Sequence, residues 1–173
     1  MVGSGPRRLR AAEQRDTDSS LGGADVAEHA AERMVIRATP ERCFEAVTDF
    51  PSYARWADDV KDVQVLERDG QERPSSVMFR AAAFGRSTTY TLVYDYTNAP
   101  AELSWIQSEG DLTSRLDGAY VFEPTADGET DVRYDLHVEL RVPIPGFVKR
   151  RAEGRITHTA LKELKAWIES AET

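Results

Sequence analysis

The sequence predicts an α+β fold: a curved antiparallel sheet of about seven strands wrapped around a long C-terminal helix, with two short helices after the first strand. Three observations predict it. Val132, Tyr134, Leu136, Val138, Leu140 and Val142 alternate without a break with Asp131, Arg133, Asp135, His137, Glu139 and Arg141. Period two over this length makes a strand with one apolar and one wet face, which belongs to an antiparallel sheet. Apolar runs between 60 and 123 are separated by short turn signals, as in a meander of hairpins. Beyond Gly146, the residues Val148, Ala152, Ile156, Ala160, Leu164 and Ile168 recur at helical spacing.

Residues 28–37, ending in Met34-Val35-Ile36, supply the first strand. Thr39-Pro40-Glu41-Arg42 starts a helix with Thr as N-cap and Pro at the first helical position, and Cys43, Phe44, Ala46 and Val47 give it an apolar face. Phe50-Pro51 ends it, and 52–57, with Tyr53, Ala54 and Trp56, forms a second short helix. Strands follow near 60–68, 75–84, 86–97, 101–108 and 112–123. They are punctuated by Asp69-Gly70, Gly85, Asn98-Ala99-Pro100 and Gly110, and Asp127-Gly128 turns into the alternating strand at 131–142. Pro143-Ile144-Pro145-Gly146 leads into the last helix, where Phe147, Leu161 and Trp167 widen the stripe. About 24 residues at 1.5 Å each make it ~36 Å long, enough to cross the sheet. Gly154 inside it costs ~1 kcal/mol relative to Ala, so a close contact or a bend is expected there. A straight helix meets a strongly curved sheet along part of its length only. The remaining space is a cavity lined by inward side chains.

The chain has 173 residues, 22 Lys+Arg against 30 Asp+Glu, and a net charge of -8. The length suits a single domain over 26–173. Residues 1–25 hold Arg7, Arg8, Arg10 and Arg15 against Glu13, Asp16, Asp18 and Asp25, with glycines and serines and few large apolar groups. They read as a disordered, dispensable tail. No apolar run follows the arginines, so a secretory signal is not expected. Residues 146–173 carry six basic groups against four acidic ones, which leaves -10 on 26–145. Nucleic acid is not an expected partner of so acidic a chain. No apolar run approaches a membrane span. The single cysteine, Cys43, excludes an internal disulfide and fits the cytoplasm.

The Ala38-Thr39-Pro40-Glu41 run and the stretch from Phe44 to Trp56 carry a family resemblance, and Asp49-Phe50-Pro51-Ser52-Tyr53-Ala54-Arg55-Trp56 is its most specific part. Gly118-Ala119-Tyr120-Val121-Phe122-Glu123-Pro124 and Pro143-Ile144-Pro145-Gly146-Phe147 add to it. Over roughly 26–170 the sequence resembles the START-like helix-grip superfamily, which includes lipid-transfer domains, polyketide cyclases/dehydrases and coenzyme Q-binding proteins. The resemblance implies a helix-grip fold and an internal cavity. It leaves the ligand and the chemistry open.

Candidate site residues follow from the cavity. Tyr53, Trp56, Phe79, Tyr94, Trp105, Tyr120, Phe122, Tyr134, Phe147 and Ile156 are the expected ligand-binding lining, a mostly apolar wall with a few polar handles. Packing in an ordinary core is the alternative for any one of these rings. Cyclases of the superfamily use an interior Arg with Tyr residues to hold and polarise a polyketone. This makes Arg80, Tyr90 and Tyr134 the catalytic candidates. Arg80 alternates with Met78 and Ala82 against Val77, Phe79 and Ala81, so β periodicity leaves its direction open. Arg115 is expected to face water. No metal site is expected: His29, His137 and His158 lie far apart, with no ligand-spaced partners. His137 is expected on the wet face of its strand, and Cys43 is expected as packing rather than as a nucleophile. No cofactor fingerprint, Walker loop or G-x-S-x-G occurs.

The expected function is binding or transport of a hydrophobic small molecule (lipid, isoprenoid quinone or polyketide) in the cavity between sheet and C-terminal helix. The alternative is a polyketide cyclase/dehydratase using pocket Arg and Tyr residues. A third reading is a ribosome- or protein-interacting module built on the basic last helix. Oligomeric state is not legible.

Overall fold

Turn chemistry sets the order of the strands. The computed structural model describes residues 29–171, so the tail expected over 1–25 lies outside the described residues. The strands are β1 (His29–Ile36), β2 (Val60–Arg68), β3 (Pro74–Ala83), β4 (Arg86–Asp95), β5 (Glu102–Gly110), β6 (Thr113–Pro124) and β7 (Thr130–Leu140). They form one antiparallel sheet in the order β1-β7-β6-β5-β4-β3-β2. Each hairpin places successive strands side by side, and β1 adds to the free edge of β7, running from His29 opposite His137 to Ile36 opposite Thr130. In the β2–β3 turn the Asp69 carboxylate accepts the N–H of Gln71 and of Arg73, and its other oxygen takes Arg73 Nε at 2.8 Å. Every strand boundary read from the alternation falls within two residues of the observed one.

Helix α1 (Pro40–Thr48), a 3-10 turn (Phe50–Ser52) and α2 (Tyr53–Trp56) bridge the two edge strands, and α3 (Gly146–Ala171) closes the chain. Thr39 caps α1 by accepting the Arg42 N–H at 3.2 Å. Phe44 on α1 stands edge-on to Tyr96 and Phe122, and Phe50 packs against Phe79 and Tyr94. The two short helices therefore sit on the same face of the sheet as α3.

The buried face of α3 is Glu153, Thr157, Leu161, Leu164 and Ile168. This differs from the four-residue row in the sequence. At 100° per residue, a row repeating every four residues walks round the helix by roughly 160° between positions 148 and 164. Val148 therefore ends up 41% exposed and Phe147 67% exposed, and two polar residues take the inward positions of the first turns. Glu153 is 1% exposed, with its Oε1 3.4 Å from Lys149 Nζ. Gly154 meets nothing within 4 Å of where a Cβ would stand, so the expected close contact is absent.

The C-terminal half of α3 is fastened to β1. Leu161, Leu164 and Ile168 are fully buried, Lys165 Nζ donates to the Val35 carbonyl at 2.8 Å, and the Glu169 carboxylate accepts from Lys165 Nζ at 2.6 Å and from Arg37 N–H at 3.0 Å. These donors hold the Glu169 carboxyl down at about 2, with the Lys165 hydrogen bond the largest cause. A depressed folded-state value contributes stability that is complete above the unfolded value and is lost as pH falls through the folded one. Glu169→Gln is expected to lower stability at pH 7 by about 1 kcal/mol. It should also flatten the loss of stability between pH 4.5 and pH 2, read by urea unfolding across that range.

Candidate functional site

The strands β3, β4, β5, β6 and β7 send inward side chains across a space that α3 covers from the other side. The result is a cavity of about 160 Å³. Tyr53 and Trp56 reach it from α2, Phe79 and Ala81 from β3, Tyr90, Leu92 and Tyr94 from β4, and Trp105 from β5. Leu116 and Tyr120 come from β6, Tyr134 and Leu136 from β7, and Ile156, Thr159, Ala160 and Glu163 from α3. The rings form one connected wall: Trp105 lies 5.8 Å from Tyr94, 5.5 Å from Tyr120 and 5.8 Å from Tyr134, and Tyr120 stacks on Tyr134 at 4.6 Å. Trp105 opposes Gly118 on β6, where a Cβ would stand 2.6 Å from its ring. Only glycine lets the indole lie against the neighbouring strand at this point.

The helix side is held by exposed polar ties. The Asp58 N–H donates to Glu163 Oε2 at 3.0 Å, and the Arg55 guanidinium sits over the Trp167 ring at 5.4 Å. The exposed residues of the lining, Asp59 on the α2–β2 loop and Ala82 near the tip of the β3–β4 hairpin, mark its open end. That tip is a two-residue turn, Phe84-Gly85, closed by the Ala83–Arg86 pair. Both residues have positive φ, 53° and 73°. Glycine adopts this freely and a bulky ring does so at a cost, yet Phe84 packs against the core and lines the mouth.

The cavity wall holds neutral donors. Tyr53 donates its hydroxyl to the Val47 carbonyl, whereas the hydroxyls of Tyr90, Tyr94, Tyr120 and Tyr134 make no hydrogen bond to the described residues. Burial pushes Tyr53, Tyr94, Tyr120 and Tyr134 well above the ordinary phenol value, and Tyr90 up to about 12. The indole N–H groups of Trp56 and Trp105 are buried and have no acceptor among the described residues. The charged residues of the lining are Asp59 and Glu163. Burial, with repulsion from Asp58 and Asp59, raises the Glu163 carboxyl against the lowering by the Asp58 N–H.

The family model for "Polyketide cyclase / dehydrase and lipid transport" matches residues 36–165. The chain belongs to that family. A START superfamily protein from Mycobacterium smegmatis has the same fold, with a TM-score of 0.79 and 22% identity over 83% of this chain and 99% of its own. The Zhui aromatase/cyclase from Streptomyces sp. R1128 superposes at a TM-score of 0.72 with 15% identity, covering 84% and 95%. A STAR-related lipid transfer protein from Xanthomonas axonopodis gives 0.61 with 16% identity, covering 82% and 85%. No curated protein sequence matches the chain.

Within this family fold, eight of the ring and aliphatic candidates meet at the cavity: Tyr53, Trp56, Phe79, Tyr94, Trp105, Tyr120, Tyr134 and Ile156. Tyr90 joins them. Three candidates do not. Arg80 is exposed on the outer face of β3, because Val77, Phe79 and Ala81 take the inner one. Phe122 is buried but lies against Phe44 of α1, further along the concave face. Phe147 points into solvent at the start of α3. Arg115 is 41% exposed and pairs with Asp117 at 2.9 Å. The described histidines sit away from the cavity: His29 stacks on His137 at 4.4 Å, and His158 pairs with Glu32 at 2.7 Å. Among the described residues no group of three or more His, Cys, Asp or Glu could hold a metal. Cys43 is fully buried, and burial raises its thiol.

Phe84, Asp59 and Glu163 were not legible as site residues. The usable signal for Phe84 was an aromatic ring directly before Gly85 in a two-residue turn that ordinarily takes Asn or Asp. All six tyrosines of the chain have raised values, Tyr96 also to about 12. Absorbance titration of the native protein is expected to show no phenolate near pH 10. Phenolate should appear only at higher pH, in step with loss of the fold by circular dichroism.

Proposed function

We propose that the protein binds and carries a hydrophobic small molecule in the cavity between the sheet and α3, the candidates being a lipid, an isoprenoid quinone or a polyketide. The observation that carries this reading is the aromatic cavity itself, about 160 Å³ of unfilled space in a wall of neutral rings. Ordinary interiors are close-packed, and space of this size is a stability cost unless it serves a ligand. Burial of apolar ligand surface at ~25 cal/mol per Å² supplies affinity without directed chemistry. Ligand sites more commonly measure ~300–1,000 Å³, so the enclosed space holds one or two rings, and the rest of a larger occupant extends through the open end. The single cysteine suits the reducing cytoplasm, where we place the protein.

A second reading, a polyketide cyclase/dehydratase, draws support from Tyr90 and Tyr134 in the cavity wall. With Arg80 outside, it rests on phenols that stay protonated at neutral pH and so act as donors, not bases.

Ala160→Phe places a ring in the cavity from α3 and leaves the sequence of the strands unchanged. Nile red, a neutral apolar dye, is expected to bind the unaltered protein and to lose at least tenfold in affinity to this variant, while the unfolding temperature stays within a few degrees. Native mass spectrometry of gently purified protein should show an added mass that denaturation removes. Failure of both measurements on the unaltered protein, or undiminished dye binding by Ala160→Phe, would sink the proposal.

A further inference from the structure

The charge and hydrogen-bonding character of the cavity wall restrict its occupant more narrowly than apolarity does. No lysine, arginine or histidine is among the described residues lining it, so a ligand carboxylate or phosphate finds no counter-ion there. The charges that do line it are both carboxylates, Asp59 on the α2–β2 loop and Glu163 on α3. They stand at the exposed end of the cavity, since Asp59 is solvent-exposed and Glu163 half-buried. Glu163 is also fixed in place, because its Oε2 accepts the Asp58 N–H at 3.0 Å. An anionic head group at this mouth would face two like charges in a partly desolvated setting, where repulsion is felt more strongly than in water.

An independent observation concerns the interior. Tyr94, Tyr120 and Tyr134 are 8%, 5% and 8% exposed, and their hydroxyls, like that of Tyr90, have no hydrogen-bond partner among the described residues. Buried donors are ordinarily satisfied, and leaving one unmade carries the full desolvation penalty. All four rings line the cavity. Their hydroxyls can donate; burial keeps the phenols protonated. The complement of such a wall is an uncharged molecule that brings acceptor oxygens.

Resting on the binding function proposed above, we infer that the cavity selects an uncharged aromatic ligand bearing a carbonyl-type acceptor, and that Asp59 and Glu163 are the residues that turn carboxylates away. Three ligands of nearly equal shape separate the contributions: 2-acetonaphthone, 2-ethylnaphthalene and 2-naphthoate. Their affinities are measured by calorimetry at pH 7.5 and low salt. The ketone is expected to bind at least threefold more tightly than the hydrocarbon and at least tenfold more tightly than the carboxylate. Asp59→Asn with Glu163→Gln, which keeps an acceptor for the Asp58 N–H, is expected to narrow the ketone-to-carboxylate gap to about threefold. Should the double variant fail to fold, Asp59→Asn alone is expected to narrow the gap by about half on a logarithmic scale.

The inference is overturned if the carboxylate binds the unaltered protein as well as the ketone, if the hydrocarbon matches the ketone, or if the folded variant leaves the gap unchanged. If Nile red binds but the ketone has no advantage, selectivity fails and the binding function stands. If neither Nile red nor any of the three ligands binds, both fall together.

Discussion

A straight helix cannot follow a coiled sheet, and the site depends on that mismatch. Where α3 runs alongside β1, Leu161, Leu164 and Ile168 close the gap completely, and Glu169 and Lys165 tie the helix to the chain around Val35 and Arg37. On a neighbouring stripe of the same helix, Ile156, Thr159, Ala160 and Glu163 face the cavity. The helix thus has a sealed side that supplies stability and an unsealed side that borders the volume. Glu153 and Thr157 continue the sealed side towards the N-terminus and take no part in the cavity wall.

The chemistry of the unsealed side follows from its burial. Phenols in an apolar wall are held protonated, so the wall can orient an acceptor but cannot abstract a proton at neutral pH. Charge is confined to the mouth, where Asp59 and Glu163 still reach water. This division between a neutral donor interior and an acidic mouth is set by side chains of this sequence. The family fold alone does not dictate it.

Much of the architecture was legible because strand and helix periods are local. The unbroken alternation at 131–142 identified β7 and its inner face, and Thr39-Pro40 identified the start of α1. What failed to read was anything that depends on position along a face or on partners distant in sequence. β3 carries apolar groups on both sides, so the outward direction of Arg80 could not be settled from Met78 and Ala82. Phe122 shares its face with Tyr120, yet one lies under α1 and the other in the cavity, a distinction that alternation does not encode. Phe147 fell on an apparent stripe that drifts round α3 and leaves it in solvent. Asp59 and Glu163 are far apart in the chain and become neighbours of one opening only through the packing of α2 against α3.

The opposition of Trp105 and Gly118 across β5 and β6 reaches beyond the present chain. Any side chain at 118 would collide with the indole and with the Asp135 carbonyl behind it, so the two positions are not free to vary independently. A lineage that replaces the tryptophan by a smaller group removes one of the two obstacles at 118. A lineage that first acquires alanine at 118 must move or lose the ring. Loss of the tryptophan alone therefore does not free position 118, because the Asp135 carbonyl of the neighbouring strand still stands where a Cβ would go.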